Sequence, residues 1–199
     1  MRKKFLLLVG VLTLAVTAIA PAAQASTISL LNLKEEPVDT VNFNFNYTYV
    51  DYWENAISCP SVTFSGTVTK NETDPVAIDP SNGGGSKCSG YSASYALKLV
   101  PAGPLVLYVG GTGEYPVQAI VEKYPGSKYA EKCYWSGTLQ VGWESKEFGE
   151  NSVELNGNLA GEGSHGGSYH CTVATAEVEM SSGSMTDSEG EPISIVTSP

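Results

Sequence analysis

The sequence predicts an all-β fold, an antiparallel β-sandwich of immunoglobulin-like or jelly-roll-like type, with helix confined to an N-terminal signal segment. Three observations carry this expectation. Apolar residues recur at every second position through most of the chain, turn-forming clusters separate these runs, and four cysteines follow an export signal.

The signal comes first in chain order. Met1-Arg2-Lys3-Lys4 is a compact positive cluster, Phe5 to Ala20 is almost wholly apolar, and Ala23-Gln24-Ala25 offers small residues to a signal peptidase. Residues 1 to 25 are therefore expected to be a cleaved signal peptide, with the mature chain starting at Ser26. The apolar run is shorter than the roughly 20 residues of a membrane span. Cleavage leaves 199 − 25 = 174 residues, enough for one domain with a substantial core. It also removes Arg2, Lys3 and Lys4, so 11 − 3 = 8 basic side chains face 21 acidic ones, a net charge of −13. All eight are lysines. Such a field repels polyanions, and no guanidinium fork is present to clamp phosphate, which argues against nucleic acid as a partner. No second apolar stretch reaches membrane length, and the expected product is secreted, extracellular and free of the membrane once the signal is removed.

Strands follow in order. From Val41 to Tyr49 every odd residue is apolar or aromatic and every even one is Asn or Thr, which predicts one dry and one wet face. The same period recurs in Val62 to Thr69, Tyr91 to Leu99, Trp135 to Trp143 and Val153 to Asn156. Leu105 to Val109 and Val117 to Val121 are more continuously apolar and read as central strands. Between Tyr169 and Met180 the apolar parity changes from odd to even, which predicts a bulge near Val173 or a crossing between sheets. Breakers fall at 79–85, 101–104, 110–113, 125–126 and 161–167. Nine or ten short strands result. They read as one sandwich domain over 26–199, with a possible two-half organisation hinged near 101–104 and a flexible tail over 183–199. Ser65-Gly66-Thr67 and Ser136-Gly137-Thr138, each set between cysteines, suggest the two halves.

Cys59, Cys88, Cys133 and Cys171 enter an oxidising compartment, and an even count fits two disulfides. Pairing of sequence neighbours, Cys59 with Cys88 and Cys133 with Cys171, closes two local loops and is preferred. Cys133, Trp143 ten residues on, and Tyr169-His170-Cys171 together resemble the immunoglobulin-like pattern. In that family the two cysteines bridge the sheets, the tryptophan packs on the bridge, and the tyrosine two before the second cysteine forms a corner. The resemblance covers about 40 residues and implies a sandwich.

No catalytic, cofactor or metal constellation stands out. Glu162-Gly163-Ser164-His165-Gly166 has Glu where a nucleophile elbow needs its first Gly, and Gly90-Tyr91-Ser92-Ala93-Ser94 lacks the last. His165 and His170 belong to a glycine-rich loop without a fixed geometry. Glu177 and Glu179 share one strand face, the arrangement a jelly-roll glycosidase would place in a concave cleft lined with aromatics. Asp74, Asp79 and Asn82, and Asp187-Ser-Glu189-Gly-Glu191, supply oxygen ligands without the spacing of a calcium loop. Tyrosine is abundant, with clusters at Tyr47, Tyr49, Tyr52 and Trp53 and at Tyr124, Tyr129, Tyr134 and Trp135. Of these, Tyr52, Trp53, Tyr129 and Tyr134 are the candidate surface-aromatic contacts. The expected function is a secreted, non-catalytic protein of binding or structural type. It would meet a protein or a glycan through a sheet face or the loops around 70–90 and 160–168, without a cofactor. The alternative is a small jelly-roll glycoside hydrolase or carbohydrate-binding module.

Overall fold

The structure, a computed structural model, describes residues 26–52, 55–90, 93–145, 151–165 and 175–198, apart from the side chains of 55 and 163–165. The expected signal peptide, Trp53, Ser92, His170, Cys171 and the parity change near Val173 lie outside these residues. Thirteen strands and no helix occur among the described residues: β1 (Thr27–Leu31), β2 (Thr40–Tyr52), β3 (Asn55–Cys59), β4 (Val62–Lys70), β5 (Val76–Pro80), β6 (Gly83–Ser89), β7 (Ser94–Pro101), β8 (Leu105–Tyr108), β9 (Thr112–Lys123), β10 (Glu131–Ser145), β11 (Asn151–His165), β12 (Thr175–Thr186) and β13 (Ser194–Ser198). The all-β expectation holds.

The architecture is a closed barrel instead of two facing sheets. β9, β10, β11, β12 and β2 lie side by side, all antiparallel. Two short paths then lead from the far edge of β2 back to β9. Residues 40–45 of β2 pair with β4, which continues through β5 and β8 to residues 112–114 of β9. Residues 48–52 pair with β3, which continues through β6 and β7 to residues 117–123 of β9. Because β2 and β9 find partners along both edges, closure removes the open edges that a sandwich would have to protect.

The side-chain alternation predicts which residues enter the interior, with one systematic exception. In β9 and β10 the buried positions stay odd from end to end. In β2, Val41, Phe43 and Phe45 point inward, Asn46 and Tyr47 both point outward, and Thr48, Val50 and Tyr52 then point inward. Ser181–Ser182 of β12, Pro60–Ser61 between β3 and β4, and Ser86–Lys87 of β6 repeat this double-outward step. Ser182 and Lys87 take left-handed φ values of 54° and 61°, and the register slips beside both. β12, β2, the β3–β4 junction and β6 thus share one transverse crease, and each double-outward step swaps the parity of the inward residues. The single dry face expected for Val41 to Tyr49 is corrected accordingly: Tyr47 and Tyr49 lie on the outer wall and Thr48 is buried.

The crease divides the barrel into two halves. In one, Phe64 stacks on Phe43, Phe45 and Tyr115, with ring centroids 4.6, 6.0 and 5.3 Å away. In the other, Tyr52 lies 5.0 Å from Trp135, and Cys59 of β3 is bonded to Cys88 of β6. Cys133 is also disulfide-bonded, and no described cysteine is free.

A ribbon of β1 and β13 caps the first half. Its inward side chains are Ile28, Leu30 and Ile195, with Ile193 just before β13, all buried. Two asparagines hold it. Asn71 accepts from Leu30 N at 2.8 Å and donates to Leu30 O at 3.0 Å, copying a neighbouring strand. Asn151 donates to Ile193 O at 2.5 Å and Met185 O at 3.0 Å, and accepts from Met185 N at 2.7 Å. Residues 183–198, expected as a flexible tail, are therefore built into the fold.

Three further expectations change. Residues 101–104 form a tight turn between β7 and β8, which both pair with β9, so no hinge separates two halves there. Glycines 83–85, read as breakers, form strand β6, where Gly84 pairs with both Thr63 and Lys98 and a Cβ would strike the Leu97 carbonyl. The segment 161–165, also read as a breaker, continues β11. Trp143 stands at the capped end of β10, roughly 30 Å along the strand from Cys133 at about 3.3 Å per residue. It donates from Nε1 to Thr112 O at 3.1 Å, far from the Cys133 on which the immunoglobulin-like arrangement would pack it.

Candidate functional site

Of the candidate aromatic contacts, the described Tyr52, Tyr129 and Tyr134 lie at the end of the barrel away from the cap, where β2, β9 and β10 meet their loops. Their environments differ. Tyr52 is only 4% exposed, because the parity swap turns it inward against Trp135. Burial first, then the neighbouring Tyr95 and the Glu131 carboxylate, hold its phenol above the ordinary value. Tyr52 is thereby removed from the surface. Tyr129, in contrast, is 69% exposed and Tyr134 is partly buried.

Tyr129 belongs to the β9–β10 hairpin, whose tip is built from turn residues. Pro125 and Gly126 follow Tyr124, and Tyr124 and Gly126 take left-handed φ values of 52° and 78°. Hydrogen bonds from Ser127 N to Tyr124 O at 3.0 Å and from Ala130 N to Ser127 O at 3.1 Å close the tip. Lys123 lies 5.2 Å from the Tyr124 ring centroid and Lys128 lies 5.0 Å from that of Tyr129. The hairpin stem carries the ion pairs Lys123–Glu131 at 4.0 Å and Lys132–Glu122 at 3.7 Å. Three of the eight lysines after residue 25 thus sit on one short hairpin with two outward tyrosines. Tyr124, a member of the sequence cluster outside the four expected contacts, joins Tyr129 at the tip.

The carboxylates lie elsewhere. Glu177 and Glu179 point outward from β12, beside Asp51 and Tyr49 of β2 and Asn158 and Asn156 of β11. Together with Glu154 and Ser181 they line a shallow depression of about 250 Å³ on the outer wall. Tyr49 is held above its ordinary pKa by partial burial and then by the charge of Asp51. The pair faces away from the barrel interior, and among the described residues Tyr49 is the aromatic beside it. Glu162, on the adjoining wall, accepts from Gln118 Nε2 at 2.6 Å and from Ser136 Oγ.

The candidate calcium loops also resolve into local structure. Asp74 caps Val109 N at 3.1 Å, at the opposite end of β5 from Asp79 and Asn82. Asp187 Oδ1 accepts from Glu189 N and Glu191 N, both at 2.9 Å, and so organises its own turn. Among the described residues no cluster of three or more His, Cys, Asp or Glu is placed to hold a metal ion. Ser164 and His165 lie on β11, and their side chains are outside the description.

A third surface escaped the sequence reading. Asn42 and Asn44 of β2, Thr63 and Ser65 of β4, Asn82 and Thr186 line a groove of about 470 Å³ on the outer wall of the capped half. Their alternation with buried residues marked them only as a wet face. No protein-family model, curated protein or solved structure matches the chain.

Proposed function

We propose that the chain is an exported, non-catalytic binding protein that meets an extracellular partner with the tyrosine–lysine tip of the β9–β10 hairpin. The observation carrying this reading is the tip itself, where Tyr129 and Tyr124 are 69% and 39% exposed under lysine side chains at the uncapped end. Aromatic rings are rigid and amphipathic, and burying them on contact costs little conformational entropy. A tight hairpin on long, fully paired strands presents them in a fixed geometry.

Export is supported by the residues 1 to 25 and by the Cys59–Cys88 disulfide, which suits an oxidising compartment. Freedom from the membrane is supported by the polarity of the barrel. Its interior is Phe, Leu, Val and Ile and its outer wall carries Asn, Thr and Glu, the reverse of a lipid-facing barrel. The non-catalytic reading is supported by the outward aim of Glu177 and Glu179.

The test is capture from a cell-surface extract by the immobilised mature domain, compared with Tyr124→Ala/Tyr129→Ala. Both rings are solvent-exposed, so the variant keeps the wild-type circular dichroism and melting temperature. Loss of two aromatic contacts of about 1 to 2 kcal/mol each should weaken capture by tenfold or more. Equal capture by both proteins refutes the assignment to the tip.

A further inference from the structure

The outer wall of the capped half has a property that is unusual in a chain whose residues 26–199 carry a net charge of −13. No charged residue occurs in residues 40–49, 62–69, 80–86 or 180–186, the stretches that build this wall from β2, β4, the start of β6 and β12. Its outward side chains are amides and hydroxyls. Cross-strand register places Thr186, Asn42 and Ser65 in one row and Ser184, Asn44 and Thr63 in the next. Neighbours within a row are about 4.8 Å apart and the rows about 6.7 Å apart, from ordinary strand geometry.

The surface is shaped and held. Phe43 and Phe64, paired across β2 and β4, stack directly beneath it. Asn42 donates from Nδ2 to Asp187 O at 2.6 Å, which fixes its amide and leaves Oδ1 directed elsewhere. Ser81 Oγ lies 3.0 Å from Ser65 Oγ, and Ser81 N donates to Ser65 O at 2.7 Å, so the rim of the groove is tied to its wall.

We infer that this groove is a binding site for a neutral, polyhydroxylated saccharide. Each amide and hydroxyl can both donate and accept, the pairing that sugar hydroxyls require. A carboxylated or phosphorylated ligand would find no counter-charge on the wall and would be repelled by the rest of the molecule. A neutral ligand escapes both penalties, and no protein charge has to be desolvated to receive it. The depression is open to solvent along its length, so a chain of sugar units could lie across both rows. The groove lies in the capped half and the tyrosine tip at the opposite end, so this inference does not rest on the tip.

The test is affinity electrophoresis of the mature domain through gels containing galactomannan, mixed-linkage β-glucan or dextran, with polygalacturonate as the charged control. Retardation by at least one neutral polymer, and none by polygalacturonate, is expected. Asn44→Ala/Thr63→Val removes two hydrogen-bonding groups from the exposed wall, and its apparent Kd should rise about tenfold, equivalent to about 1.4 kcal/mol. Tyr124→Ala/Tyr129→Ala should migrate as wild type in the same gels, which separates failure of the tip from failure of the groove. The inference is overturned if no neutral polymer retards the protein, if polygalacturonate retards it equally, or if the groove variant binds like wild type.

Discussion

On the capped side of the crease, β2 shows Asn42 and Asn44 to solvent and packs Phe43 and Phe45 inside. On the other side, the same strand shows Tyr49 and Asp51 and packs Thr48, Val50 and Tyr52. β12 changes in step, from Ser184 and Thr186 outside to Glu177 and Glu179. The halves also differ in what holds them. The capped half relies on four stacked rings and a hydrogen-bonded ribbon, the loop half on a disulfide and the Tyr52–Trp135 contact. One closed sheet can therefore carry two cores and two outer chemistries when a line of bulges lets each strand exchange its faces.

The sharpest way to break this comparison is to strike each half at its centre. Phe64→Ala empties the middle of the ring stack and should cost about 3 to 5 kcal/mol in urea denaturation. A loss below about 1 kcal/mol would mean that the stack does not organise the capped half. Cys59→Ala/Cys88→Ala opens a loop with a sequence separation of 29. By chain entropy it should cost about 3 to 4 kcal/mol. Under partial denaturation, hydrogen exchange should rise first in β4 and β5 for the ring variant and in β3 and β6 for the disulfide variant. Uniform exchange across all four strands in both variants would erase the distinction between halves.

The crease comes next in size. Gly183 follows Ser182 directly, and a Cβ there would strike the Val153 carbonyl and lie 2.6 Å from Phe45 Cδ1. Backbone on one side and a packed ring on the other leave little room to yield, so Gly183→Ala should cost about 1 to 3 kcal/mol. Because Phe45 also stacks on Phe64, the two substitutions share a partner. Gly183→Ala combined with Phe64→Ala should cost less than their sum, and strict additivity would place the crease outside the ring stack.

What the sequence conveyed and what it hid follow from the range over which each feature is encoded. Alternation and turn residues are local, so β2, β4, β7, β9 and β10 were legible, as was the Cys59–Cys88 bridge between close neighbours. The parity swap was not, because Tyr47 and Tyr49 continue the apolar rhythm of Phe43 and Phe45. A tyrosine serves an outer wall as readily as an interior. Barrel closure depends on which strands meet along β2 and β9, a relation between distant segments. The cap depends on Ile193 and Ile195, two apolar residues in a polar stretch, and on asparagines that act through backbone mimicry. For the tyrosine tip, the cluster is visible in the sequence but exposure is not, which is why Tyr52 reads as a contact and Tyr124 does not. The neutral groove required the cross-strand register that brings Asn42 beside Ser65.

The smallest effect separates the halves most cleanly, since it compares one atom in each. Tyr52 and Tyr115 are both buried phenols, and burial holds each above the ordinary value of 10.0. Tyr52 has Tyr95 as a polar neighbour, whereas the Tyr115 hydroxyl has no hydrogen-bond partner among the described residues. Tyr52→Phe should therefore cost about 1 kcal/mol, and Tyr115→Phe should be neutral or stabilising by up to about 1 kcal/mol, because it removes an unpaired buried hydroxyl. In alkali the two phenols act alike. Below pH 10 both are protonated in the folded and unfolded chains, and their contribution is constant. Above it the unfolded phenols ionise first, so stability falls as pH rises toward the folded values, by up to about 1.4 kcal/mol per pH unit for each phenol. Each Tyr→Phe variant should remove one such increment from the slope, followed by phenolate absorbance and denaturation in parallel. Tyr115→Phe would then be no less stable than wild type near neutrality and more stable in alkali. A cost at neutral pH equal to that of Tyr52→Phe would show that the Tyr115 hydroxyl is hydrogen-bonded in solution, and the contrast between the two cores would narrow to their packing.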